Sequence, residues 1–307
     1  MKENEITSFI ASSKLDIKRE EINKLQKLGY VILKRNTAFW KKQGVDLDMV
    51  RDTVETEILL SKHSNFSNKD DETYRYEEGT NRLSNILAKN PIFNPFIAVP
   101  DIVYCAKEVL GENFQLSSLG VREPLKNSGH QGLHLDWKQR KNLNSSFYQL
   151  TCFVLLDDVT KDNGPPRIIP KSHINFINVK STSRIENKRY KDDHKILQNA
   201  DKNSLLLCGK TGDIIIINVN AFHGGTKNIS GKRRRLIHID YRQRSERPQV
   251  NHFYAIPKKL HKLYKSQEIF LLSLKKPSKY QGLRRLIYNY RNNLFIKFML
   301  RVRSFFI

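Results

Sequence analysis

Two histidines and one aspartate are spaced so that they could hold one metal ion. His134 and Asp136 are two positions apart in the segment GHQGLHLDW, and His223 follows 87 positions after Asp136, directly before a pair of glycines. On an extended strand, residues i and i+2 point to the same side, so an imidazole and a carboxylate could reach the same ion. Two imidazoles and one carboxylate leave three coordination positions open, a geometry associated with non-haem Fe(II) oxygenases.

An arginine follows the second histidine at a useful distance. Arg234 lies 11 positions after His223, and a hairpin between them would bring its guanidinium beside the imidazole. There it could bind a carboxylate through two parallel hydrogen bonds. The alternative is that Arg234 belongs only to the basic run 232–235, because such runs are usually solvated or bind anions.

Three further side chains are candidates for a substrate pocket. His130 precedes His134 by four positions and could line the pocket mouth, although a structural polar role suits an irregular segment at least as well. Arg122 lies just beyond the preceding predicted strand and could help bind a co-substrate or a substrate, or remain on the surface. Trp137 would face away from Asp136, which favours a place in the core or the cavity wall. His238, inside a later strand, is interpreted as a buried structural histidine.

The period of the hydrophobic pattern separates two regions. Residues 1–110 are predicted to be mostly helical, with one short strand at 30–33 and a helix in which Asp101 is the N-cap and which Gly111 ends. Residues 61–81 are predicted as a surface loop and 181–194 as a long polar insertion. Six segments have the pattern of short strands: 114–121, 148–156, 167–169, 204–207, 213–218 and 236–241. The fold class is therefore mostly β with flanking helices, and a sandwich or jelly roll is expected.

Composition excludes several classes of protein. The 307 residues are 39% hydrophobic and carry a formal net charge of +23, so the chain can form a core and is not expected to be disordered. Three cysteines without CxxC spacing exclude a disulfide scaffold. No secretory signal or membrane-spanning segment is recognised, so a cytoplasmic location is predicted.

The positive charge is concentrated near the C-terminus. Residues 275–307 hold nine Lys or Arg and no acidic residue, interleaved with Leu, Ile, Tyr and Phe. A basic amphipathic helix of this kind could lie on the inner face of an anionic membrane. It could equally dock on the domain with its lysines solvated. No nucleic-acid partner is expected, because no nucleic-acid-binding motif accompanies the charge.

The order of these motifs resembles the phytanoyl-CoA dioxygenase family. The resemblance rests on HLD at 134–136, LLDDVT at 155–160, DNG at 162–164, IPKSH at 169–173, HG at 223–224 and Arg234. It covers roughly residues 18–245 and implies an oxygenase domain over 1–245, with a helical part at 1–111 and a double-stranded β-helix, or cupin-like jelly roll, at 112–245. Residues 246–307 would then form a basic C-terminal extension.

The resemblance also implies roles for individual residues. His134, Asp136 and His223 would bind Fe(II), and Arg234 would hold the distal carboxylate of 2-oxoglutarate. With O2, such an enzyme hydroxylates an unactivated C–H bond and releases succinate and CO2. The retained Asp136 implies hydroxylation over halogenation. Gly225 stands where the family pattern has a serine, so Thr226 would supply a hydroxyl to the co-substrate in its place.

The sequence is compatible with more than one class of substrate. A small molecule and a lipid- or glycan-linked intermediate are both compatible with the family, and the C-terminal charge favours the second. Two other functions are compatible with the sequence: a non-catalytic jelly-roll module that binds an anionic glycan or lipid, and a metal enzyme that does not use 2-oxoglutarate.

Overall fold

The computed structural model describes residues 4–63, 79–136, 147–175, 177 and 191–275. Its helices are α1 (Asn4–Ser12), α2 (Arg19–Leu28), α3 (Thr37–Lys42), α4 (Leu47–His63), α5 (Pro100–Leu110), α6 (Lys191–Asp201), α7 (His252–Ala255) and α8 (Ser266–Leu271). Its strands are β1 (Tyr30–Leu33), β2 (Thr80–Leu83), β3 (Phe114–Pro124), β4 (Gln149–Leu155), β5 (Pro166–Ile168), β6 (Leu205–Leu206), β7 (Ile214–Asn218), β8 (His223–Gly225) and β9 (Leu236–Gln243). Short 3-10 helices cover Ile86–Ala88, Pro91–Ile97 and Lys258–Leu263.

The strands form two antiparallel sheets. The larger sheet has the order β1-β7-β4-β9-β3-β2, and the smaller sheet has the order β6-β5-β8. Every pairing between neighbouring strands is antiparallel. This arrangement confirms the predicted jelly roll, and all six predicted β segments contain a strand.

Strand β7 shows why the larger sheet is apolar on both faces. Ile214 and Ile216 belong to the core cluster shared with the helices, whereas Ile215 and Ile217 belong to the cluster between the two sheets. Alternate side chains of a strand point to opposite faces. A strand covered on both sides therefore appears in the sequence as an unbroken apolar run.

The start of α5 differs from the prediction. The helix has Val99 as its N-cap residue and Pro100 in its first turn, so the assignment of Asp101 as the cap was wrong. Proline suits the first turn because it has no N–H to donate. The buried Asp101 carboxylate instead accepts from the Arg35 guanidinium at 2.6 Å and from the Asp16 backbone N–H at 3.0 Å. It thereby fastens the N-terminal segment to α5.

The packed body continues past the boundary predicted at residue 245. Ile256, Phe270 and Leu271 are buried in the same core cluster as the larger sheet. The rest of the predicted extension, from 276 to 307, lies outside the described residues, as do 64–78 of the predicted loop and 181–190 of the predicted insertion. Within the described ranges, no helix is both long and apolar enough to cross a membrane.

Candidate metal centre

The three predicted metal ligands come together. One potential ligand atom from each of His134, Asp136 and His223 lies within 4.8 Å of the other two. The Asp136 carboxylate oxygens are 3.5 Å from Nε2 of His134 and 3.6 Å from Nε2 of His223. A single ion between these atoms would be bound by two imidazole nitrogens and one carboxylate oxygen.

Backbone pairing aligns the two histidines. His134 and His223 form an antiparallel bridge, with N–H to O=C distances of 3.0 Å and 3.1 Å in the two directions. In each case Nδ1 contacts the carbonyl two residues earlier, Gly132 at 2.8 Å and Ala221 at 2.9 Å. With a proton on Nδ1 donated to that carbonyl, Nε2 presents its lone pair toward Asp136, as a metal-binding histidine requires.

The two glycines after His223 allow this close pairing. A Cβ on Gly224 would lie 2.8 Å from the Gln131 carbonyl oxygen, and one on Gly225 would lie 2.8 Å from the Gly129 carbonyl oxygen. Both contacts are with backbone, which cannot rotate away as a side chain can. The segment that carries His134 can therefore approach β8 only because these positions lack side chains.

A turn that follows β5 fixes the backbone just before His223. The Ser172 hydroxyl donates to the Ile169 carbonyl at 2.7 Å and accepts from the Phe222 N–H at 2.8 Å. His173 contacts the Gln26 carbonyl through Nε2 at 2.8 Å. Both residues of the Ser172–His173 pair thus have structural roles: Ser172 holds the residue that precedes His223, and His173 contacts α2.

The triad opens into a cleft between the sheets, here called the metal cleft. Its empty space, counted out to open solvent, is about 750 Å³, and its lining includes Asp136, His223, Arg234, Arg122, His238 and Asp240. His134 is fully buried, whereas the Asp136 side chain is 25% exposed. The metal site is therefore reached from the side of the carboxylate.

The basic run 232–235 divides into residues with separate roles. Arg234 is buried and faces the metal cleft. Arg233 pairs with Glu123 and Glu55, and Arg235 binds both carboxylate oxygens of Asp157, at 2.7 Å and 2.8 Å. Arg234 is therefore not a solvated member of the basic run.

The other predicted pocket residues have different surroundings. His130 is exposed and is not among the described residues that line the metal cleft, whereas Arg122 is. The Thr226 hydroxyl donates to the Pro165 carbonyl at 2.7 Å, and Thr226 too is absent from the described lining. Trp137 lies outside the described residues.

The resemblance to the phytanoyl-CoA dioxygenase family can be compared with that family's own sequence pattern. The sequence pattern of the phytanoyl-CoA dioxygenase (PhyH) family matches residues 15–236, which is well over half of the chain. The chain belongs to the PhyH family. This confirms the resemblance predicted from the motif order.

Characterised relatives and solved structures agree with the family. The PhyH-family chain is 26% identical over 174 residues to ectoine dioxygenases of Bordetella bronchiseptica and Bordetella parapertussis; each match covers 50% of this chain and 55% of the relative. The match thus spans about half the length of those relatives. The epimerase SnoN, solved with Fe3+, alpha-ketoglutarate and nogalamycin RO, has a TM-score of 0.54 at 15% identity, covering 75% of this chain and 86% of SnoN. HygX from Streptomyces hygroscopicus, solved with nickel and 2-oxoglutarate, has a TM-score of 0.54 at 14% identity, covering 76% of this chain and 89% of HygX. At these identities the two structures show a shared fold.

Two cleft residues of this PhyH-family chain were not predicted. His238 and Asp240 lie on β9 at two-residue intervals from Arg234 and Leu236, and all four line the metal cleft. The intervening Ile237 and Ile239 are in the core. The sequence shows this alternation between the two faces of β9. Because His238 lies between two isoleucines, however, it was interpreted as a buried structural residue.

Asp240 has an unusual environment for a carboxylate. Burial raises the pKa of Asp240, and the negative charge of Asp136 acts in the same direction. The Ser118 hydroxyl donates to the Asp240 carboxylate at 2.6 Å, and the Thr151 hydroxyl donates to it as well. These two hydrogen bonds act to lower the pKa and so oppose the effect of burial. The cleft therefore has an acidic floor beside the metal ligands.

Proposed function

We propose that this chain is an Fe(II)- and 2-oxoglutarate-dependent dioxygenase that hydroxylates a small molecule. The observation that supports it most is that His134, Asp136 and His223 converge on one point, and that Arg234 lines the same cleft as Asp136 and His223. The donor set fits Fe(II), because two neutral imidazoles and one carboxylate leave open positions for other ligands. The family and the fold agree with this activity.

The residues of the chain would prepare the site for the reaction. The carbonyls of Gly132 and Ala221 hold the imidazole rings so that both Nε2 atoms face Asp136. Arg234, buried in the cleft wall, would bind the far carboxylate of 2-oxoglutarate, and its charge acts more strongly there than in water. The iron, with 2-oxoglutarate and O2, supplies the oxidising power for hydroxylation, and succinate and CO2 are the other products. Phe153, Ile217 and Leu236 add apolar surface that limits water in the cleft.

The test is the release of succinate by the full chain supplied with Fe(II), O2 and 2-oxoglutarate. Because the substrate is unidentified, release is measured both with and without a metabolite mixture. We expect release to depend on Fe(II) and to be lost in His134→Ala. Absence of any iron-dependent release, with and without a metabolite mixture, would contradict the proposal.

The two other functions predict different results. A non-catalytic jelly-roll module has no use for a converged metal triad, and its purified form would bind no stoichiometric iron. A metal enzyme that does not use 2-oxoglutarate would keep its activity in Arg234→Gln. The burial of Arg234 in the same cleft as the triad favours the dioxygenase over both.

The location of the substrate is a separate question. A lipid- or glycan-linked substrate on an anionic membrane would require residues 275–307 to bind that surface, and this part of the proposal depends on the sequence alone. Sedimentation with vesicles containing phosphatidylserine, before and after deletion of 275–307, tests it. Equal sedimentation of the two proteins would contradict membrane binding by this segment.

A further inference from the structure

A second cavity opens from the metal cleft, here called the side arm. It encloses about 560 Å³, counted out to open solvent, between the chain at Ser84 and Asn85, strand β3 near Gly120, and Val250. Five residues line both cavities: Arg82, Arg122, His238, Asp240 and Gln249. The side arm is thus continuous with the space beside the metal ligands and offers room for a second molecule next to 2-oxoglutarate.

Two arginines face each other where the cavities join. Arg82 on β2 and Arg122 on β3 are directly opposite in the strand register. Both are partly exposed and line both cavities. Their register brings two positive charges to the place where the cavities join. Paired guanidiniums are also well suited to carboxylate and phosphate groups.

The floor of the same space has the opposite charge. Asp240 lies opposite Ser118 on one side and Thr151 on the other, and it accepts a hydrogen bond from each hydroxyl. Asp136 is the next carboxylate in the lining. An anionic group would be repelled from this floor, whereas a hydroxyl or amino group could donate to it. The charge distribution would therefore orient a polar molecule with its anion toward the arginines.

The two other arginines of the metal cleft have different tasks. Arg167 donates to Asp201 at 2.8 Å, to the Gly225 carbonyl at 2.7 Å and to the Gln131 carbonyl at 2.9 Å, so it braces the smaller sheet. Arg234 is assigned to 2-oxoglutarate under the proposed function. Arg82 and Arg122 are the pair that faces both the cleft and the side arm.

We propose that the side arm binds the primary substrate through an anionic group, a carboxylate or a phosphate, held between Arg82 and Arg122. The hydroxyl or amino groups of the substrate face Asp240, and its reacting carbon lies toward the metal ligands. This inference rests on the proposed function, because it assumes that 2-oxoglutarate occupies the site beside Arg234. It predicts a small, polar, anionic substrate and not a long acyl chain.

Simple anions can test the site before the substrate is known. The full chain is loaded with paramagnetic Mn2+ in place of Fe(II) and saturated with 2-oxoglutarate, and inorganic phosphate or acetate is then titrated. Line broadening in the NMR spectrum of each anion reports binding near the metal. We expect saturable broadening of at least one anion, and the anion that responds distinguishes a phosphate from a carboxylate substrate.

Matched variants decide whether the arginines are responsible. Arg82→Gln and Arg122→Gln should each weaken anion binding severalfold, and the double variant should weaken it at least about tenfold, since hydrogen bonds to charged groups are lost. Arg19→Gln, at an exposed arginine of α2, is the control and should bind like the parent protein. Broadening of the 2-oxoglutarate signals shows in the same samples that each variant is folded and loaded.

The outcomes separate this inference from the function on which it rests. If neither anion shows saturable broadening in the parent protein, or if the double variant and both single variants bind like the parent, the anion site is wrong. The second result would indicate an anion bound directly to the metal. If the 2-oxoglutarate signals themselves are not broadened in the parent protein, the proposed function fails first.

Discussion

At the scale of single residues, the role proposed for Arg234 in binding 2-oxoglutarate can be tested separately from metal binding. We expect Arg234→Gln to raise the KM for 2-oxoglutarate by roughly 10- to 100-fold, because a charge-assisted hydrogen bond contributes about 1.5–3 kcal/mol. Affinity for the metal should change little, since Arg234 is not one of the three ligands. Steady-state kinetics and a metal titration measure the two effects. An unchanged KM for 2-oxoglutarate together with normal turnover would show that Arg234 does not bind the co-substrate.

Residue types and spacing were enough to predict the triad, but not the whole cleft. Strand geometry placed His134 and Asp136 on one side, and the strand-end position of His223 favoured convergence. Arg82 was missed because its place in the cleft lining follows from its register opposite Arg122. His238 was misjudged because a half-buried strand and a cleft wall have the same alternating pattern.

At the scale of elements, β8 depends on the absence of side chains at its end. Gly225→Ala would place a Cβ 2.8 Å from the Gly129 carbonyl oxygen and push apart the segments that carry the two histidines. We expect metal affinity to fall by about tenfold or more, in the range seen when the support of metal ligands is disturbed. Gly132→Ala is the control in the same segment, because its Cβ would meet no atom within 4 Å. Equal metal affinities in the two variants would show that the close approach is not needed.

The start of β9 is held by ion pairs on both sides of Arg234. Asp157 binds the backbone N–H and guanidinium of Arg235. Burial acts to raise the pKa of Asp157, but the hydrogen bonds and charge of Arg235 outweigh it and lower the pKa. Asp157→Asn should therefore raise the KM for 2-oxoglutarate severalfold with a smaller change in kcat, because it loosens the residue next to Arg234. A loss of thermal stability with no change in KM would show a purely structural role.

Elements were predicted where the hydrophobic pattern is strong. The strands of the central layers were found because burial on both faces leaves long apolar segments such as β7. Strand β2 and helix α6 were missed, since they lie at the ends of the polar segments 61–81 and 181–194. Their positions depend on pairing and packing that polar sequence does not encode clearly.

At the scale of the whole molecule, His252 connects stability to pH. It is 2% exposed, and burial lowers its pKa from 6.5 to about 3. Below the unfolded value, the unfolded chain takes up a proton that the folded chain does not, so the free energy of unfolding decreases as pH falls toward the folded value. On acidification from about pH 7 to about pH 5, His252 should lower the free energy of unfolding by about 2 kcal/mol.

Urea unfolding of His252→Leu at the two pH values measures that contribution. The variant should lose less stability on acidification than the parent protein, by about 2 kcal/mol. His261→Leu is the control at a partly exposed histidine of the same C-terminal region. An unchanged pH dependence in His252→Leu would show that His252 is not buried and neutral in the folded protein.

The most direct test of the metal and co-substrate site is an anaerobic titration of the full chain with Fe(II) and 2-oxoglutarate. Visible absorbance reports the charge-transfer band of ferrous iron chelated by 2-oxoglutarate. We predict one iron per chain, a band that requires 2-oxoglutarate, loss of the band in Asp136→Ala, and a higher 2-oxoglutarate concentration for half-saturation in Arg234→Gln. A parent protein that binds no iron, or a band that is the same in Asp136→Ala, would contradict the assignment of these residues to one iron centre.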